Sequence, residues 1–179
     1  MIKWEPFEYE GKIHTLEHLH PKVVVYEQPA ANDKPARFYK VQLIYGLHCF
    51  TRKAESDKTT DQALLYCDSR ECRIFDFRRY RLSKQLPMIV EAFYCRQCYH
   101  TGKGNFFVIE LIGEDGVKEE YEIYFEASRS SVRGVLNLYI QSAYVRDKEH
   151  AGNRPRKKPI GFYIILFKTL NNQQIKAPK

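Results

Sequence analysis

Along residues 37 to 51, RFYKVQLIYGLHCFT, apolar and polar side chains alternate. Tyr39, Val41, Leu43, Tyr45, Leu47 and Cys49 fall on one face, and Lys40, Gln42, Gly46 and His48 on the other. A period of two sends successive side chains to opposite sides of a strand, so this run predicts a half-buried β-strand with His48 on the wetter side. Residues 22 to 28, KVVVYEQ, predict a shorter strand ended by Pro29, and PAANDKPA then reads as a loop. Residues 52 to 62, RKAESDKTTDQ, read as a solvated turn, followed by two short apolar runs, ALLYC and CRIFDF.

The best helical pattern is LSKQLPMIVEAFYC, residues 82 to 95, with Ser83 as a cap, Pro87 in the first turn, and Leu86, Ile89, Val90 and Phe93 on one face. Its end runs into CRQCYHTGKG, where Gly102 and Gly104 punctuate the chain before the next strand. NFFVIELI and YEIYFEAS then flank GEDGVKEE, whose Asp115-Gly116 pair signals a β-hairpin. With GVLNLYIQSAYVR and IGFYIILFKTL they predict a four-stranded meander in the C-terminal part. In YEIYFEAS, Tyr121, Ile123, Phe125 and Ala127 are expected toward the core and Glu122, Tyr124 and Glu126 away from it. In the following strand Leu136, Leu138 and Ile140 are expected to share a face with Ser142, Tyr144 and Arg146, so that one face turns from apolar to polar. The expectation is an α+β protein with a mainly antiparallel sheet and one or two helices. It forms a single domain, with residues 1–80 as a strand-rich extension, 83–170 as helix plus meander, and 171–179 as a polar tail.

The content of aromatic residues, 14% of the chain with 13 Tyr and 11 Phe, agrees with a β-rich fold. Charge adds a functional hint, because 29 Lys and Arg against 22 Asp and Glu leave a net charge of +7, which favours polyanionic partners. The cations gather in two places. Arg70, Arg73, Arg78, Arg79, Arg81 and Lys84 outnumber Glu71 and Asp76, and Arg146, Lys148, Arg154, Arg156, Lys157 and Lys158 outnumber Asp147 and Glu149. The N-terminal segment has no leader pattern and no window is apolar enough for a membrane helix, so the chain is expected to be cytoplasmic and free of the membrane. Five scattered cysteines, Cys49, Cys67, Cys72, Cys95 and Cys98, suit reduced thiols.

Several chemistries can be weighed on spacing. Cys95-x-x-Cys98, completed by His100 or by Cys67 and Cys72, is the outline of a zinc site, although one close pair is half of what such a site needs. TGKG lacks the spacing of a phosphate-binding loop, and no hydrolase elbow, zincin or dinucleotide motif is present. His14 and His18 would share a face if HTLEHLHP were helical. What remains is a set of histidines, tyrosines and cations of the kind used in RNA cleavage without metal, in which a base takes the 2′-hydroxyl proton and cations hold the phosphate. The same residues equally make an RNA-binding surface without cleavage.

A helical element followed by an antiparallel meander, with SAYVR and RPRKKPIGF late in it, resembles the barnase/RelE/colicin-type ribonucleases over roughly residues 83 to 170. That resemblance implies a small toxin that cuts RNA without a metal. YHTGKGNFFVIEL and QSAYVRDKEHAGNRPRKKPIGF also resemble a family of bacterial proteins labelled as concerned with stationary-phase growth adaptation. The leading expectation is an RNA-binding protein without a cofactor, with enzymatic activity left open and transesterification as the reaction if it is an enzyme. His100 would act as base or acid, Tyr144 as proton carrier, and Arg146 and Lys158 as phosphate binders. His48, Arg78, Arg79, Arg81, Lys103, Arg154, Arg156 and Lys157 would form the rest of the RNA surface. The alternatives are a non-catalytic module that binds nucleic acid, an acidic protein or an inhibitor, and a zinc-stabilised adaptor built on Cys95 and Cys98.

Overall fold

The computed structural model describes residues 3–54, 61–114, 117–146 and 155–178. In chain order the strands and α-helices are β1 (Phe7–Tyr9), β2 (Lys12–His14), β3 (Lys22–Gln28), β4 (Arg37–His48), β5 (Thr51–Arg52), β6 (Leu65–Cys67), β7 (Cys72–Phe75), α1 (Phe77–Ser83), α2 (Leu86–Glu91), β8 (Cys98–His100), β9 (Phe106–Glu114), β10 (Val117–Arg129), β11 (Val135–Val145), β12 (Lys158–Ile160) and α3 (Phe162–Leu170). The main sheet has seven strands in the order β12-β8-β9-β10-β11-β4-β3, antiparallel except where β4 runs parallel to β11. The fold is therefore α+β and mainly antiparallel. β1 pairs with β2, and β5, β7 and β6 form a small third sheet.

Alternation decides the faces. Every apolar residue assigned to the inner face of β4, from Tyr39 to Leu47 with Cys49 beyond it, is buried. The first 80 residues thus both extend the main sheet, through β3 and β4, and build the smaller sheets. One hydrophobic core runs through all of them. Helices α2 and α3 cover the inner face: the Tyr26 hydroxyl donates to the Val90 carbonyl at 2.8 Å, and Phe162 lies edge-on to Tyr26 with ring centroids 4.9 Å apart.

Four elements differ from the sequence expectation. The predicted helix over 82 to 95 is two short helices and a 3-10 turn at Phe93–Cys95. α1 starts earlier because the Asp76 side chain caps it, accepting from the Arg79 backbone N–H at 2.9 Å, and Pro87 opens α2. Ser83 is not a cap; it is buried at the end of α1 and its hydroxyl donates to the Tyr80 carbonyl at 2.8 Å. IGFYIILFKTL is a short strand end and then helix α3, so the four-stranded meander is β8-β9-β10-β11. In α3 the buried residues Phe162, Ile165 and Leu166 follow helical spacing, and Asn172, at φ 53°, turns the chain just beyond the helix end.

The fourth difference is a β-bulge. Ile140 pairs with Phe125 but Ser142 pairs with Tyr124, which leaves Gln141 as an extra residue in β11. The inward row therefore passes from Ile140 to Ala143, and Ser142 and Tyr144 move to the second face. Gly46 on β4 accommodates the distortion: a Cβ there would lie 2.6 Å from the Tyr139 hydroxyl and 3.0 Å from the Gln141 carbonyl oxygen. Glu122 and Tyr124 do point away from the core as expected, yet both are buried. The Asp115-Gly116 turn lies outside the described residues, although Glu114 and Val117 pair on either side of it.

Candidate nucleic-acid interface

On the second face four adjacent strands each contribute one aromatic ring to a row, with Tyr99, Phe107 and Tyr124 in register and Tyr144 diagonal to Tyr124. Tyr99 lies 5.2 Å from Phe107, Phe107 is stacked 5.4 Å from Tyr124, and Tyr124 is stacked 5.9 Å from Tyr144, measured between centroids. Cations stand at both ends of this row, with the Arg79 guanidinium 5.0 Å above Tyr144 and the Lys157 ammonium 5.9 Å from the Tyr99 ring centre. Phe107 and Tyr124 are buried, whereas Tyr99 and Tyr144 at the ends are half-exposed. Only the ends of the row can meet a ligand.

At the Tyr144 end the charge is internally matched. Arg146 donates from Nε and Nη2 to the Glu122 carboxylate, its Nη2 reaching Oε2 at 2.7 Å, and Nη2 also donates to the Tyr124 hydroxyl at 3.0 Å. The Arg146 and Glu122 side chains are 8% and 0% exposed, so this is a buried ion pair. The Glu122 carboxylate raises the Arg146 pKa, and burial followed by the Glu122 hydrogen bond raises that of Tyr124. Burial lowers the Arg79 pKa; Nη1 of Arg79 donates to the carbonyls of Thr51 at 2.8 Å and His48 at 3.4 Å. Arg78 pairs with Glu119, and His48 Nε2 lies 2.8 Å from Glu71. Of the predicted phosphate binders in α1, Arg81 alone is exposed with no ion pair among the described residues.

At the Tyr99 end the cations have no such partners. β12 pairs antiparallel with β8, with Lys158 opposite His100 and Pro159 opposite Tyr99. The chain leaving β8 and the chain entering β12 therefore emerge at the same corner. One carries Lys103 in the turn closed by the hydrogen bond from Thr101 N–H to the Asn105 carbonyl, at 3.0 Å, and the other carries Arg156 and Lys157. Lys103, Arg156 and Lys157 are exposed, Lys158 is half-buried, and none of the four forms an ion pair among the described residues. Arg154 lies outside the described residues.

The four proposed catalytic residues are not assembled. His100 and Lys158 share the inner face, where His100 is 3% exposed, edge-on to Phe106 at 5.2 Å. Its Nδ1 accepts the Gly102 N–H at 2.8 Å, and its Nε2 has no hydrogen-bond partner among the described residues. Tyr144 and Arg146 belong to the opposite side of the sheet. The bulge at Gln141 and the alternation of β8 together produce that separation, and the bulge is not legible from residue types. Tyr99 is the aromatic residue at this corner that the sequence reading missed; its signal was the alternation Cys98-Tyr99-His100, which sends Tyr99 outward between two buried neighbours.

The cysteines and N-terminal histidines take structural places. Cys67 and Cys72 face each other across the β6–β7 hairpin and form a disulfide, contrary to the expectation of free thiols throughout. Cys98 is buried in the core, with its thiol pKa pushed up to about 12 by burial, while Cys95 is exposed and donates to the Ala92 carbonyl at 3.1 Å. Among the described residues no group of His, Cys, Asp or Glu is arranged to hold a metal ion, which leaves the zinc outline without a ligand set. His14 lies in strand β2 among Phe75, Phe77 and Tyr80, not on a helix. His18 Nε2 lies 2.8 Å from Ser83 Oγ and His20 Nε2 lies 3.1 Å from the Trp4 carbonyl oxygen. Because the Ser83 hydroxyl already donates to Tyr80, His18 is the donor in that contact and no activated nucleophile results.

Fold and site together define an α+β protein with one basic, aromatic-flanked sheet corner and one internally neutralised basic centre. The chain belongs to the YjaZ family, whose model matches residues 6–170. It is similar to Protein YjaZ of Escherichia coli strain K12, with 31% identity over 179 residues covering 98% of this chain and 96% of that protein. No solved structure matches the chain. Among the described residues no helix is long and apolar enough to cross a membrane.

Proposed function

We propose that the protein binds single-stranded RNA, without cutting it, at the corner formed by β8 and β12. The observation that carries this reading is the contrast in pairing: Lys103, Arg156, Lys157 and Lys158 have no carboxylate partners among the described residues, whereas Arg78 and Arg146 do. An unpaired cation can exchange its counterions for phosphates, while a cation already in a buried ion pair must first lose its partner. Tyr99 supplies an aromatic surface beside these charges, and stacking on a ring favours the unpaired bases of single strands over a duplex. Cleavage is the less favoured reading because His100 and Arg146 stand on opposite faces of the sheet.

The test is fluorescence anisotropy with a labelled single-stranded RNA, comparing wild type with the triple variant Lys103→Ala, Arg156→Ala, Lys157→Ala. The expected result is binding that weakens about 30-fold in the variant, in line with loss of about three phosphate contacts. Intact RNA at the end of a long incubation is expected as well. Equal affinity of the two proteins would overturn the site, and cut RNA ends with wild type would overturn the non-catalytic reading.

A further inference from the structure

Beside the aromatic row of the second face runs a polar one. Thr101 and Asn105 face each other where β8 turns into β9, and Glu126 and Gln141 continue the row on β10 and β11. Gln141 is the extra residue of the bulge. Because Ser142 takes the place opposite Tyr124, Gln141 has no partner in the ladder, and its side chain instead reaches both Glu126 and Asn105. Gln141 Nε2 donates to Glu126 Oε1, Asn105 Nδ2 donates to Gln141 Oε1 at 2.8 Å, the Thr101 hydroxyl donates to Asn105 Oδ1, and the Lys103 N–H donates to Thr101 Oγ1 at 3.1 Å.

The sense of every bond in this chain is set from one end. A carboxylate only accepts, so Glu126 draws the amide hydrogens of Gln141 and turns Gln141 Oε1 toward Asn105. Asn105 must then present its own amide hydrogens to Gln141 and its Oδ1 to Thr101. The Thr101 hydroxyl, with its single hydrogen directed at Asn105, offers a lone pair to the Lys103 N–H. Hydrogen bonds aligned in one direction polarise one another, which makes Thr101 Oγ1 a stronger acceptor than an isolated hydroxyl.

The turn at the end of this chain needs the support. Gly102 and Gly104 stand at φ 88° and 90° and carry no side chain to hold it. Among the described residues its backbone N–H groups are held by the Asn105 carbonyl at Thr101, by His100 Nδ1 at Gly102, and by Thr101 Oγ1 at Lys103. The last of these is the bond that fixes the residue whose ammonium faces the ligand.

We propose that Gln141 is a positioning residue of the basic corner: placed by the bulge in β11, it acts through Asn105 and Thr101 to fix the backbone of Lys103 near Arg156 and Lys157. Gln141 itself touches no ligand. The functional half of this inference rests on the single-stranded RNA reading of the corner, whereas the hydrogen-bond relay stands without it.

The test pairs amide hydrogen exchange at Lys103, followed by nuclear magnetic resonance on the free full chain, with RNA binding by fluorescence anisotropy. Gln141→Met keeps the length of this half-exposed side chain and removes its amide, and Thr101→Val keeps the shape of the last member and removes its acceptor. Each variant should speed Lys103 exchange about 10-fold, the protection of about one hydrogen bond, with circular dichroism unchanged. RNA affinity should fall about 3-fold in Gln141→Met, about 3-fold in Lys103→Ala, and no further in the double variant, because both changes remove the same phosphate contact. Unchanged Lys103 exchange in Gln141→Met would overturn the relay, most clearly if Thr101→Val does speed it. Losses of affinity that multiply in the double variant would overturn the positioning role. Wild-type protein that binds no RNA would refute the RNA reading and the functional half with it, and the exchange rates would still decide for or against the relay.

Discussion

Arg146 and Lys157 belong to the same basic stretch of the sequence, one at its start and one near its end, and the structure makes them opposites. Arg146 is buried against a carboxylate that is itself buried, with two tyrosine hydroxyls around it. Lys157 is exposed, with its ammonium 5.9 Å from the Tyr99 ring centre, and has no ion pair among the described residues. A count of positive charge therefore overstates a binding surface, because a cation that satisfies an internal anion stabilises the fold at the expense of reactivity toward phosphate. What distinguishes the two is the identity of the nearest acid, which lies 24 positions away in the case of Glu122.

The comparison is broken most severely by removing that acid. Glu122→Ala should cost about 3 kcal/mol of stability, since it strips a buried guanidinium of its carboxylate, and urea unfolding monitored by circular dichroism measures it directly. Gly46→Ala acts on the backbone that presents the Arg146 centre. The added methyl group meets the Tyr139 hydroxyl and two carbonyl oxygens at the bulge, for an expected loss of about 2 kcal/mol by the same measurement. A third prediction concerns pH. Burial, then Lys84 and His20, lower the His18 pKa from 6.5 to about 4. Folding thus favours neutral His18, and the unfolded chain binds the extra proton. His18 contributes its full stabilisation above pH 6.5 and loses it as pH falls toward 4. The effect should be about 1 kcal/mol once solvent screening of this half-buried group is allowed for, and His18→Gln should flatten stability across that window. The smallest effect is expected at an exposed pair: Arg78→Ala, which breaks the contact with Glu119, should change stability by about 0.5 kcal/mol or less.

Local pattern carried much of the fold. The alternation in RFYKVQLIYGLHCFT located β4 and both of its faces, and KVVVYEQ coincides with β3. IGFYIILFKTL misled because a short, continuously apolar run satisfies either period. Its helical form comes from the need to cover the inner face of the sheet, a demand made by β10 and β11 and not by its own residues. α1 was hidden under its arginines, although Asp76 was a cap signal. Within the site, Arg156 and Lys157 shared one basic cluster in the sequence and Lys103 lay outside both clusters; β8–β12 pairing is what brings the three to one corner. The separation of His100 from Tyr144 depends on a one-residue bulge, and a bulge inverts every side chain beyond it.

The most direct measurement of the account is the salt dependence of single-stranded RNA binding for three proteins: wild type, the corner variant lacking Lys103, Arg156 and Lys157, and a variant carrying Arg78→Ala and Arg81→Ala. Plotted as the logarithm of affinity against the logarithm of salt, the corner variant should lose about 2 from the slope while the α1 variant stays close to wild type. A slope that falls with the α1 variant and persists in the corner variant would contradict the assignment of the interface.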